Sequence, residues 1–167
     1  MVVFDAGILI KLFSQKSPAE ERQKLEYLVD TLQKTRERIT IPTPALSEYL
    51  VKAGKATEGI LEQIRKSTVF RVAPFDQRAA IEYALAIKRA LDHGDKKSGS
   101  NSTWAKVKFD WQIVAIAKVV NASRIYTEDS DVKRYAAMVG IAVSSVIDLQ
   151  LPPDAKQGKL DLNPPGE

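Results

Sequence analysis

This sequence predicts an α/β fold: a three-layer α/β/α sandwich around a central parallel sheet of about four to five short strands. Three observations predict it. Short apolar runs of strand length, such as Val2 to Phe4, alternate along the chain with longer stretches whose apolar residues recur at helix spacing. Strands separated by helices become parallel neighbours, because parallel pairing needs a crossover connection. The stretch 110–120 is apolar nearly all round, as a centrally buried helix must be.

Val2, Val3 and Phe4 read as a first strand ending on Asp5, with a short helix following through Phe13. Ser17, Pro18 and Glu20 have the pattern of an N-cap, a first-turn proline and a capping-box acid, and Leu25, Leu28, Val29 and Leu32 follow at helix spacing. Residues 39–41 make a second strand. Thr43 and Pro44 start a helix that carries Glu48 and turns Leu46, Tyr49, Leu50 and Ala53 to a core. A helix over 57–66, a strand over 69–72 and a long helix capped by Asp76 and ended by Gly94 come next. From Asp92 to Lys108 the composition turns to Gly, Ser and Lys around Trp104, which predicts a mobile loop, and the buried helix is expected to open at Asp110. A strand over 125–127, a helix introduced by Asp129 and Asp131 and closed by Gly140, and a strand over 141–143 complete the pattern. The domain is expected to span 1–147, leaving a proline-containing tail over 148–167.

The 167 residues suffice for one domain with its own core, and 44% hydrophobic against 28% charged residues is ordinary globular composition. Cysteine is absent, which excludes thiolate catalysis, cysteine zinc sites and disulfides, and fits a reducing cytosol; a cytoplasmic protein is the expectation. Neither a signal peptide nor an apolar run of about 18 residues is present, so no membrane association is expected. The net charge of +4 permits attraction to a polyanion. The one histidine, His93, stands beside Gly94 at a helix end and reads as solvated, which leaves no Ser-His or Cys-His pair.

The acids carry the sharper signal. Taken singly, Asp5, Asp110, Asp129 and Asp131 have the positions of helix caps or first-turn acids, and Glu48 that of a boundary residue. Taken together, they stand beside the most apolar segments of the chain, where an unpaired carboxylate is costly to desolvate. In a parallel sheet, ligands gather beyond the carboxyl ends of the strands, and carboxylates converging there repel unless cations neutralise them. An all-oxygen set favours magnesium or manganese over zinc, with Asp5, Glu48, Asp110, Asp129 and Asp131 as candidate ligands. Such a site can lower the pKa of water and neutralise phosphate oxygens, which is nuclease chemistry without a protein nucleophile.

The runs VVFDAGILIKLF, TPALSEYL, FDWQIVAIA and IYTEDSDVKRYA resemble, in order and approximate spacing, the four acidic motifs of PIN domains, over nearly the whole chain to about Val146. The resemblance implies a magnesium- or manganese-dependent ribonuclease that leaves 5′-phosphate ends, with Asp5, Glu48, Asp110 and Asp129 as the catalytic acidic quartet. Asp131 is an alternative or an aid to Asp129, and Thr127 matches a hydroxyl residue often placed beside the fourth acid. Many members are toxins of VapC-type pairs, so the resemblance also implies RNA as substrate, a protein antitoxin as partner, and a homodimer, since PIN domains often pair. One departure is Gly7, where many similar domains have Ser, Thr or Asn two residues after the first acid.

Lys96, Lys97, Lys106 and Lys108 are candidate phosphate contacts and Trp104 a candidate base-stacking surface, against the plainer reading of a solvated loop and a tryptophan covering a helix end. Two other functions remain open at this point. One is a non-catalytic PIN-like binding or scaffold module. The other is a phosphoacceptor receiver-like domain, which expects an acid on the middle strand that 69–72 does not offer.

Overall fold

The computed structural model describes residues 1–153. Within them run five strands, β1 (Val2–Phe4), β2 (Ile39–Pro42), β3 (Phe70–Ala73), β4 (Arg124–Tyr126) and β5 (Ala142–Ser144). They alternate with seven α-helices: α1 (Ala6–Phe13), α2 (Ala19–Lys34), α3 (Thr43–Ala53), α4 (Thr57–Lys66), α5 (Gln77–Asp92), α6 (Trp104–Val119) and α7 (Ser130–Met138). All strand pairs are parallel, in the order β3-β2-β1-β4-β5. The three-layer class expected from the alternation is the one observed. Of the tail expected over 148–167, residues 154–167 lie outside the described residues.

The period-two geometry of the strands divides the core into two layers. Val2, Phe4, Ile39 and Ile41 face a cluster built from Leu9 and Leu12 of α1, Leu25 and Leu32 of α2, Tyr49 of α3, and Ile60 and Ile64 of α4. Val3 and Ile125 face the opposite way, onto Val107, Trp111, Val114 and Ala117 of α6 and Val132, Tyr135 and Ala136 of α7. Trp111 and Tyr135 stack with ring centroids 4.6 Å apart, which locks α6 to α7. Both faces of β1 are covered, so its three residues are all buried and read as a continuous apolar run rather than an alternation.

The strand order puts the switch point beside β1. From there the chain turns one way to β2 and β3, and the other way to β4 and β5, leaving a crevice past the carboxyl ends of β1 and β4. This order differs from the 2-1-3-4-5 sheet of receiver-type folds, which removes the phosphoacceptor reading.

Local differences from the sequence reading have physical causes. The buried helix opens at Trp104, not at Asp110: the Thr103 hydroxyl accepts from the Lys106 N–H at 3.3 Å and supplies a cap, while Val107 and Trp111 have a core to fill. Lys106 and Lys108 are therefore helical residues, and Asp110 lies inside a helix where it caps nothing. Nor is the preceding segment a free loop, because Ser98 and Ser100 are buried and the Tyr135 hydroxyl donates to the Lys97 carbonyl at 3.0 Å. At α2, Pro18 rather than Ser17 holds the cap position, with no side-chain cap; the Ser17 hydroxyl turns instead toward the Ile10 carbonyl. Asp76 caps α5 as expected, accepting from the Ala79 N–H at 2.9 Å.

If Thr103 starts α6, Thr103→Ala should lower stability by about 1 kcal/mol while Thr103→Ser retains it. Urea denaturation monitored by circular dichroism checks this, and equal midpoints for wild type and the alanine variant would place the helix start elsewhere.

Candidate active site

The residue that ends β1 is the first piece of the site. Asp5 takes an extended backbone and caps α1: its Oδ1 accepts from the Ala6 N–H at 2.6 Å. Its other oxygen accepts from the Thr127 hydroxyl at 2.7 Å, just past β4. Thr127 also accepts from the Asp129 N–H at 3.0 Å, so one buried hydroxyl ties the first acid to the backbone of the fourth. Thr127 is completely buried, with its hydroxyl spent on these two residues rather than open to a ligand.

Asp129 caps α7. Its Oδ1 accepts from the N–H groups of Asp131 and Val132, at 2.8 and 3.2 Å, leaving Oδ2 for the crevice. Asp110 arrives from the middle of α6 and is 7% exposed. Between these two carboxylates sits the Lys106 ammonium, 2.6 Å from Asp110 Oδ2 and 2.8 Å from Asp129 Oδ2. Lys106 precedes Asp110 by one helical turn, the spacing at which side chains meet on a helix face.

Asp131 shares this neighbourhood with both oxygens engaged. Its Oδ2 accepts from the hydroxyls of Ser100 and Ser102, each at 2.7 Å, and its Oδ1 from Arg134 at 3.1 Å. It thus pins the segment before α6 to α7. Among the described residues, Asp110, Asp129 and Asp131 form the group whose carboxylate oxygens lie within 4.8 Å of one another.

A cleft of about 780 Å³ opens over this group, lined by Asp5, Glu48, Asp110, Asp129, Gly7 and Lys106 among others. Four predicted acids therefore reach one cavity. Glu48 stands at its rim on α3, half-exposed and paired with Lys52 at 2.8 Å. Gly7 lines the cleft with open space where a side chain would project, so a Ser or Asn there is sterically free. Of the expected substrate contacts, only Lys106 lines the cleft. Lys96 lies over the Trp104 ring, 5.6 Å from its centre, Lys97 donates to the Ser102 carbonyl at 2.8 Å, Trp104 packs against the core at the start of α6, and Lys108 is exposed on α6. Among the cleft residues that the sequence reading missed are Lys52, Phe109, which is 47% exposed, and Glu128, which accepts from the Val146 N–H at 2.9 Å. Phe109 was legible as the neighbour of Asp110 once the helix is known to start before it; nothing local marks Glu128.

Burial raises the Asp5 carboxyl above its ordinary range, against the hydrogen bonds from Thr127 and Ala6, with the Asp129 and Glu48 charges pushing the same way as burial. Burial likewise raises Asp110 to about 6, even with Lys106 beside it. At Asp129 burial is outweighed by the Lys106 ammonium and the two α7 N–H donors, and its carboxyl lies below the ordinary range. Lys106 is held protonated, since the bonds to Asp110 and Asp129 outweigh its partial desolvation. The oxygen-only donor set, the mutual proximity and the unmet negative charge of Asp5 and Asp110 all fit a hard divalent cation, for which Asp110, Asp129 and Asp5 offer cleft-facing or cleft-lining carboxylates.

The family model described as PIN domain matches residues 2–138. The chain belongs to the PIN domain family. PIN domains are nucleases that generally use divalent metals, and the acidic cleft lies where this PIN domain's switch point requires. Its fold is similar to VapBC2 of Rickettsia felis, solved bound to a DNA fragment from its promoter, at TM-score 0.61 and 15% identity, covering 87% of this chain and 98% of that one. DNA-bound VapBC from Salmonella typhimurium matches at TM-score 0.59 and 17% identity, over 87% and 97% of the two chains. Mycobacterium tuberculosis VapC20, described as a sarcin-ricin loop cleaving toxin, matches at TM-score 0.56 and 16% identity, over 85% and 97%. No curated protein sequence matches this PIN domain.

The raised Asp110 carboxyl has a consequence for stability. A carboxyl at about 6 in the folded PIN domain, against 3.8 ordinarily, binds its proton more tightly folded than unfolded, so its ionisation costs stability as pH rises between those values. Metal-free Asp110→Asn should therefore melt higher than wild type at pH 7.5, and the difference should vanish near pH 4. Calorimetric melting at both pH values checks this; a variant less stable than wild type at pH 7.5 would contradict it.

Proposed function

We propose that this PIN domain is a magnesium- or manganese-dependent endoribonuclease of the VapC type, the toxin of a pair with a protein antitoxin. The observation that carries the reading is the meeting of Asp5, Asp110 and Asp129 in one cleft past β1 and β4, with Glu48 at its rim. A divalent cation bound there would neutralise phosphate oxygens and lower the pKa of water for hydrolysis of the phosphodiester bond.

Asp110 and Asp129 would hold the cation. Asp5, oriented by Thr127 and the Ala6 N–H, accepts protons well because burial raises its carboxyl, which suits a group that orients and deprotonates water at the cleft floor. Lys52 at the rim offers a positive charge to the RNA backbone. Phe109 presents an exposed aromatic ring in the same cleft, a surface on which an unpaired base can stack. The apolar wall it forms with Val51 suits an unstacked single strand better than a rigid duplex.

The second reading, a binding or scaffold module without catalysis, also has an observation in its favour: the Lys106 ammonium already bridges Asp110 and Asp129 and supplies part of the positive charge they need. The two readings separate on one experiment. For the nuclease, manganese should support cleavage of single-stranded RNA, EDTA should abolish it, and Asp110→Asn should cut the rate by about two orders of magnitude or more in a folded protein. Cleavage undiminished by EDTA or by Asp110→Asn would refute the metal-dependent mechanism, and no cleavage by wild type with either metal would favour the module.

A further inference from the structure

We infer that Lys106 is a built-in counter-ion that occupies the cation position of the acidic cleft, so that a divalent metal binds only by displacing it into the cleft. This rests on the proposed metal site and adds how the site is guarded. The geometry is direct. The Lys106 ammonium lies 2.6 Å from Asp110 and 2.8 Å from Asp129, and 3.9 Å from Asp131, so it touches or borders every member of the clustered triad. At Asp129 the ammonium holds the one oxygen that the α7 N–H groups leave open, so a cation held by Asp110 and Asp129 would meet the ammonium at Asp129 Oδ2, and two cations that close repel.

The side chain is able to leave. It is 42% exposed and rises from the first turns of α6 at the cleft wall, so a rotamer change moves the charge toward solvent without unfolding anything. Released, it remains a cleft-lining cation beside the place where a phosphate would sit.

Displacement makes two demands that a merely structural lysine would not. Removing the ammonium should leave the acids repelling one another, so the metal-free protein loses stability. The same change should strengthen metal binding, whereas general damage to the site would weaken it. The full chain, stripped of metal at pH 7.5, is titrated with manganese by calorimetry as wild type, Lys106→Gln and Lys108→Gln. Lys108 makes the equal charge change two residues along the helix, where side chains do not face one another. Lys106→Gln should bind manganese about tenfold more tightly or better and melt lower without metal, and Lys108→Gln should match wild type on both counts. In wild type alone, saturating manganese should also raise the acetylation rate of Lys106, read by peptide mass spectrometry, and leave that of Lys108 unchanged. Wild-type binding with equal or weaker binding by Lys106→Gln, or a Lys106 reactivity indifferent to manganese, would overturn the counter-ion and leave the metal site standing. If neither wild type nor Lys106→Gln binds manganese, the metal site fails and the counter-ion with it.

Discussion

Carboxylates short of water at the diverging ends of β1 and β4 are the constraint around which this PIN domain is arranged. An ionised acid in such a place needs donors or cations, and each acid here has a different set. Asp5 has the Thr127 hydroxyl and a helix N–H; Asp129 has the N-terminus of α7 and Lys106; Asp131 has two serines and an arginine. Asp110 has Lys106 and is the least compensated of the clustered three, which is why its carboxyl stands high while those of Asp129 and Asp131 stand low. The gap between need and supply at Asp110 and Asp5 is what a divalent cation would close.

The surrounding fold serves that arrangement. Thr127 can bridge Asp5 and Asp129 only because β1 and β4 are hydrogen-bonded neighbours in register, Phe4 opposite Tyr126. Asp110 reaches them because α6 is buried along the same face, clamped to α7 by Trp111 on Tyr135. Asp131 fastens the segment before α6, which leads into the Thr103 cap from which α6 and Lys106 follow. Solved VapBC and VapC structures share this fold at identities of 15–17%.

Much of this was legible in the sequence. The apolar run Val2 to Phe4 ended by an acid disclosed β1 and the Asp5 that lines the cleft, and Asp76 disclosed the start of α5, because both signals are local. What escaped was set by contacts across the chain. The Gly/Ser/Lys composition before α6 reads as free loop, yet Ser100 and Ser102 are held by an aspartate some thirty residues on, a partner no local pattern reveals. Taking Asp110 as a helix start rather than a mid-helix residue also hid the pairing of Lys106 with Asp110: only with Thr103 as the cap does the lysine fall one turn from the acid on the same helix. That the Thr127 hydroxyl meets the Asp129 N–H follows from their closeness in sequence, but its complete burial depends on the sheet order, which the sequence does not state.

A metal bound between α6 and α7, by acids that Lys106 otherwise holds, would join the geometry of the cleft to its proposed chemistry. Anomalous diffraction from crystals soaked in manganese observes that directly. The expected map has a peak bounded by carboxylate oxygens of Asp110 and Asp129, with the Lys106 side chain swung away from both. A map with Lys106 still seated between the two aspartates and no manganese in the cleft, at metal concentrations that saturate the protein in solution, would contradict it.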